Sequence, residues 1–154
     1  MFDQTENIPE QRLVKRLRTY WDRIRENDDV PFAIKFNNAG ISDIWESCIL
    51  IKVGTSGAKK TYNIERIGTQ LTEAVGRDMS GKYFMSSDSD GGILSREFIN
   101  VMNNSIDKKE FLLSEGSFVN KKGRIIKYRD CVMPLKDNKG EVNLLVVGIS
   151  WRSF

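Results

Sequence analysis

Three alternating apolar runs close this chain, and they limit its fold more than any other feature. Phe111 to Asn120, Arg124 to Leu135 and Val142 to Trp151 read as strands. Lys121-Lys122-Gly123 and Asn138-Lys139-Gly140 separate them as tight turns. Connections this short join antiparallel neighbours, so the segment is a three-strand meander. A sheet of this kind has an apolar face that other elements must cover.

The covering elements stand upstream. Between Gln11 and Glu26, Leu13, Leu17, Tyr20, Trp21 and Ile24 recur at helical spacing, with Val14 beside them. Asn7-Ile8-Pro9-Glu10 is a start signal, and Asn27 to Pro31 is a stop. The opposite face carries Arg12, Lys15, Arg16, Arg18, Arg23 and Arg25, interrupted by Asp22 and Glu26. It reads as a solvated face. Phe32 to Trp45 reads as a loop leading to a helical turn near Ser42 to Trp45.

Two short β runs follow, Glu46 to Val53 and Thr61 to Gly68, as a hairpin around Gly54-Thr55-Ser56-Gly57. Thr69 is placed to cap a short helix over Leu71, Ala74 and Val75, stopped by Gly76. Arg77 to Phe84 reads as a glycine-flanked loop. Asp90 is placed to cap a further helix with Leu94, Phe98, Val101 and Met102 on one apolar face. Helix, two strands, short helices and three strands give an α+β chain. The expected fold is a five-stranded antiparallel sheet with helices on one face and an N-terminal helix.

Totals narrow the function. At 154 residues the chain suits one domain, divided here into a helical segment at 1–30 and a core at 31–154. The longest apolar runs, Cys48-Ile49-Leu50-Ile51 and Leu144-Leu145-Val146-Val147, fall far short of the ~20 residues that span a bilayer. Met1 to Glu6 lacks the basic and apolar stretches of a secretory signal, so a cytoplasmic location is expected. A net charge of +3, from 24 basic and 21 acidic residues, is too balanced to indicate nucleic acid. The absence of histidine removes the commonest general base, metal ligand and proximal haem ligand together. Cys48 and Cys131, both inside strand-like runs, are expected as reduced core thiols.

Local motifs sharpen the reading. Tyr20-Trp21 and the Pro31 segment come first. Ile67-Gly68-Thr69 and Gly76-Arg77-Asp78-Met79-Ser80-Gly81-Lys82-Tyr83 follow, and then Tyr128-Arg129, Met133-Pro134-Leu135 and Val142 to Ile149. In this order the chain resembles the short, stand-alone PAS-like proteins known mainly from alphaproteobacteria, over roughly residues 15 to 150. Glu65 and Lys82 depart from arginines common in that family, which puts any anionic ligand of the relatives in doubt here. The resemblance implies sensing or docking without catalysis or a cofactor. The expected partners are a small molecule, a homodimer mate, or a signalling protein such as a kinase or a cyclic-dinucleotide enzyme. Nucleic acid and membrane are not expected. Light-sensing relatives keep a reactive cysteine in a helical Asn-Cys-Arg motif; neither cysteine here sits on a helix, so flavin photochemistry is not expected.

Candidate sites follow from this frame. Phe84, Phe98, Met102, Tyr128 and Arg129 are the cavity candidates, with ordinary core packing as the alternative. Leu13, Leu17, Tyr20, Trp21 and Ile24 are the dimer-interface candidates, and packing on the chain's own sheet fits the same periodicity. Arg129 beside Asp130 fits a buried pair, an anion contact or an edge charge. An enzyme on this fold would need a carboxylate base such as Asp130 or Glu65. Ser86 to Glu97 matches part of a calcium loop but has serine at the first ligand position, so a polar loop with Asp90 capping a helix is the plainer account. Gly54 to Thr61 lacks the glycine before lysine of a phosphate loop and reads as a hairpin turn.

Overall fold

The computed structural model describes residues 9–88 and 92–154. Helix α1 spans Glu10–Arg25 and is followed by three short 3-10 turns at Ala33–Lys35, Asn38–Ile41 and Trp45–Ser47. Strands β1 (Cys48–Ser56) and β2 (Lys59–Ile67) lead into helix α2 (Thr69–Val75). Strand β3 (Tyr83–Met85) and helix α3 (Arg96–Lys108) come next, and β4 (Leu112–Val119), β5 (Ile125–Lys136) and β6 (Val142–Ser153) form the meander.

All six strands join one sheet in the order β3-β2-β1-β6-β5-β4, with antiparallel neighbours throughout. The sheet has six strands where five were expected. Tyr83–Met85, read as loop, pairs Phe84 with Tyr62 at the outer edge of β2. A three-residue strand has no alternation to reveal it, so pairing alone defines it. The first hairpin turns at Gly57-Ala58, two residues later than the glycine-rich stretch suggests, because Gly54, Thr55 and Ser56 continue the ladder.

Side-chain alternation sorts the sheet into two faces. On the first, Ile49, Ile51, Ile126, Tyr128, Val132, Leu145, Val147 and Ile149 pack with Phe98, Met102 of α3 and Leu71 of α2. On the second, Cys48, Cys131, Met133 and Val146 pack with Leu13, Leu17, Tyr20 and Trp21 of α1. Helices therefore cover both faces, not one. The stretches Cys131–Leu135 of β5 and Leu145–Ile149 of β6 are apolar on both sides because both sides are buried there.

Gly148 makes the second layer possible. A Cβ there would collide with Leu17 and stand 3.2 Å from Leu13 and 3.3 Å from the Cys131 sulfur. Trp21 Nε1 donates to the Pro134 carbonyl at 2.9 Å, tying the helix to β5. Arg16 holds Asp43 at 2.7 Å and fixes the helix to the following loop. Leu13, Leu17, Tyr20 and Trp21 are buried against the chain's own sheet, and Ile24 is partly buried there. Of the two accounts open for this stripe, packing on the chain's own sheet buries four of its five side chains, and Ile24 keeps part of its surface.

The helix starts also differ in detail. Thr69 is the first residue of α2, after Gly68, and Glu46 accepts its backbone N–H at 3.0 Å. Helix α3 starts at Arg96, where Ser95 Oγ accepts the Phe98 N–H at 3.2 Å. The expected cap at Asp90 and the centre of the acidic loop lie outside the described residues. Among the described residues no helix is long and apolar enough to cross a membrane.

Candidate functional site

The interior candidates do converge. Phe98 of α3 meets Tyr128 edge-on at 6.4 Å, and Phe118 of β4 meets Tyr128 at 6.0 Å. Tyr62 and Phe84 stack at 5.1 Å near the other end of the same face, and Met102 is fully buried in that cluster. These rings fill the space between α3 and the sheet with contacts typical of a packed core. Gly116 leaves room for Tyr128: a Cβ there would stand 2.6 Å from the phenol oxygen.

A few polar atoms are built into this core. The Tyr62 hydroxyl donates to Asn103 Oδ1. The Tyr128 hydroxyl lies 3.3 Å from Ser95 Oγ. Burial pushes the Tyr128 phenol up to about 12 and the Tyr62 phenol up as well, so both stay protonated. Asp130 shares the face of Tyr128, is 2% exposed, and accepts the Ser114 hydroxyl at 2.8 Å through Oδ1. Its Oδ2 is buried with no hydrogen-bond partner among the described residues. Burial raises its carboxyl to about 6 against the opposing pull of Ser114.

Arg129 does not join the interior group. One residue along a strand reverses the face, so it leaves Tyr128 and Asp130 behind the sheet. It extends outward to Glu10 at 2.8 Å and Glu115 at 3.4 Å. The period-two pattern Ile126, Tyr128, Asp130, Val132 carries this signal in the sequence, and it excludes a buried Arg129–Asp130 pair. Glu65 is exposed on β2. Its neighbour Arg66 instead pairs with Glu46 at 2.6 Å and lies over the Trp45 ring.

Both cysteines are free and buried on the α1 side of the sheet. Each faces Gly148 across its own ladder, so two ladder spacings place their Cα atoms about 10 Å apart, beyond disulfide reach. Burial pushes the Cys48 thiol up to about 12 and raises Cys131 too, which leaves both as unreactive thiols.

A second region escaped sequence reasoning. Beyond the start of α1, no described residue covers the outer face of β4, β5 and β6, which forms an open depression of about 820 Å³. The outward side chains of this face, in the depression and just beyond it, form rungs across the strands. Glu115, Arg129 and Ser150 make the rung nearest α1. Ser117, Lys127 and Arg152 make the next. Val119 pairs with Ile125, and Phe154 N–H bonds the Ile125 carbonyl at 2.8 Å, completing an apolar rung. Val119, Ile125 and Phe154 are 57%, 47% and 62% exposed, an unusual concentration of bare apolar surface. Lys127 lies over the Phe154 ring at 5.0 Å.

No protein-family model matches the chain, and no curated protein matches it. Solved structures do. A light-oxygen-voltage domain studied with a flavin analogue matches at TM-score 0.52 and 10% identity, over 75% of this chain and 83% of that one. The dark-state Aureochrome1 LOV domain of a blue-light photoreceptor matches at 0.52 and 14%, over 73% and 80%. A cysteine-to-valine variant of the fungal photoreceptor VVD matches at 0.51 and 15%, over 86% and 91%. The fold is PAS/LOV-like. At these identities the likeness concerns architecture, an antiparallel sheet with its helices, and leaves chemistry to the residues of this chain. In this PAS/LOV-like fold the two cysteines occupy β1 and β5 on the face turned away from α3.

Proposed function

We propose that this chain is a non-catalytic signalling module of PAS/LOV-like fold that acts by contact with another protein. One observation carries the reading: the interior beneath α3 is occupied by its own rings, while no described residue covers the outer sheet face beside α1. Asp130, the carboxylate with the most raised affinity for protons, is not among the residues lining the open depression. A base must reach its substrate, so this placement supports a module without catalysis. The resemblance to short PAS-like proteins of alphaproteobacteria supports a cytoplasmic partner such as a kinase or a cyclic-dinucleotide enzyme. A homodimer, if formed, uses the open sheet face in place of the α1 stripe.

A photoreactive amino acid at Ser117, on the open face, tests this in the host cell. The expected result is a discrete cross-linked product from Ser117 and none from Ser80, an exposed position away from the depression. Equal products from both positions, or none from Ser117, contradict it.

A second reading has one observation in its favour. Ser95, Tyr128 and Asp130 place polar atoms at one end of a mostly apolar core, and Asp130 Oδ2 has no partner among the described residues. A small molecule with a hydrogen-bond donor would complete that set, making the chain a ligand sensor.

A further inference from the structure

We propose that the open outer face of β4, β5 and β6 binds an extended acidic peptide of a partner protein, with the cationic rung Lys127–Arg152 as its anchor. This rests on the interaction reading above and names the chemistry of its partner. The second rung places Lys127 and Arg152 directly opposite each other on paired strands. Like charges directly opposite each other in an antiparallel pair repel. Glu10, Glu97 and Glu115 also line the depression. Glu10 and Glu115 are both engaged by Arg129 in the first rung. Among the described residues no carboxylate forms an ion pair with Lys127 or Arg152. Among the described residues the first rung is thus charge-balanced, and the next is positive with no ion-pair partner.

The apolar rung supplies the second element of recognition. Val119, Ile125 and Phe154 sit two residues along the strands from Ser117, Lys127 and Arg152. That step is about 7 Å. Side chains two apart on one face of an extended peptide have the same spacing. A peptide lying along the strands would therefore set an apolar side chain on Ile125 and Phe154 and an acidic one on Lys127 and Arg152. An isolated phosphate uses only the cations and leaves the apolar rung exposed. An extended segment with an apolar residue two positions from an acidic one satisfies both rungs.

Fluorescence anisotropy of a labelled peptide with leucine and glutamate two residues apart, on the full chain, tests the inference. Wild type should bind, and binding should weaken as salt rises. The double variant Lys127→Glu, Arg152→Glu should lose at least ~10-fold in affinity, because both side chains are exposed and carry the anchor. Circular dichroism confirms that its fold is retained. Ile125→Ser should weaken binding with an unchanged salt dependence. The inference is overturned if wild type ignores the peptide, if the charge-reversed variant binds equally well, or if a lysine version of the peptide binds as tightly. Binding to phosphatidylserine vesicles without binding to the peptide also overturns it, in favour of a lipid surface. Cross-linking from Ser117 without peptide binding rejects the acidic chemistry alone; loss of both rejects the interaction reading as well.

Discussion

Asp130 is the residue whose surroundings most contradict its chemistry. Burial raises its carboxyl from 3.8 to about 6, so the fold favours the protonated form. The stability it contributes is complete below about pH 4 and is lost as pH rises through about 6. Asp130→Asn keeps an acceptor for Ser114 and removes the ionisable group. At pH 7.5 the variant should be more stable than wild type by on the order of 2–3 kcal/mol, and the gap should close toward pH 4. Urea midpoints across that range give the comparison; a variant less stable at every pH would contradict this account of Asp130. Gly148 is the second decisive residue. Gly148→Val should destabilise by roughly 1–3 kcal/mol, because the added atoms meet Leu13, Leu17 and the Cys131 sulfur in a packed layer. An unchanged urea midpoint would show that α1 yields easily.

At the scale of elements, α1 is a structural layer. Leu17 is fully buried between Gly148 and its helix neighbours. Leu17→Ala should cost about 2–5 kcal/mol, the range for a large-to-small change in a core. If α1 were a detachable arm, the same change would leave the unfolding midpoint in place. The helix itself was legible, since its stripe of Leu13, Leu17, Tyr20 and Trp21 repeats at 3.6 residues. Its destination was not, because periodicity states that a face is covered and never by what. The meander strands were legible for the opposite reason: short glycine turns fix antiparallel neighbours regardless of their surroundings. β3 was not, because its pairing with β2 is a long-range event over three residues. Arg129 was misplaced into the interior although the alternation through Ile126, Tyr128 and Asp130 held its face. Lys127, Arg152 and Phe154 drew no attention, because rungs across three strands exist only once register is known.

At the scale of the molecule, the two faces of the sheet have different work. One is closed by α2 and α3 over Phe98, Phe118 and Tyr128. The other is closed by α1 over Cys48, Cys131, Met133 and Val146, and no described residue covers it at the Lys127–Arg152 rung. On the function proposed above, such a chain would act through its surface, with its interior filled by its own side chains. That claim is tested most directly by native mass spectrometry of the freshly purified protein, with the same sample denatured as control. The account predicts that each subunit carries the mass of its 17.7 kDa chain alone, identical to the denatured control. A small molecule retained in the native sample and released on denaturation would contradict the packed interior and make this chain a ligand sensor.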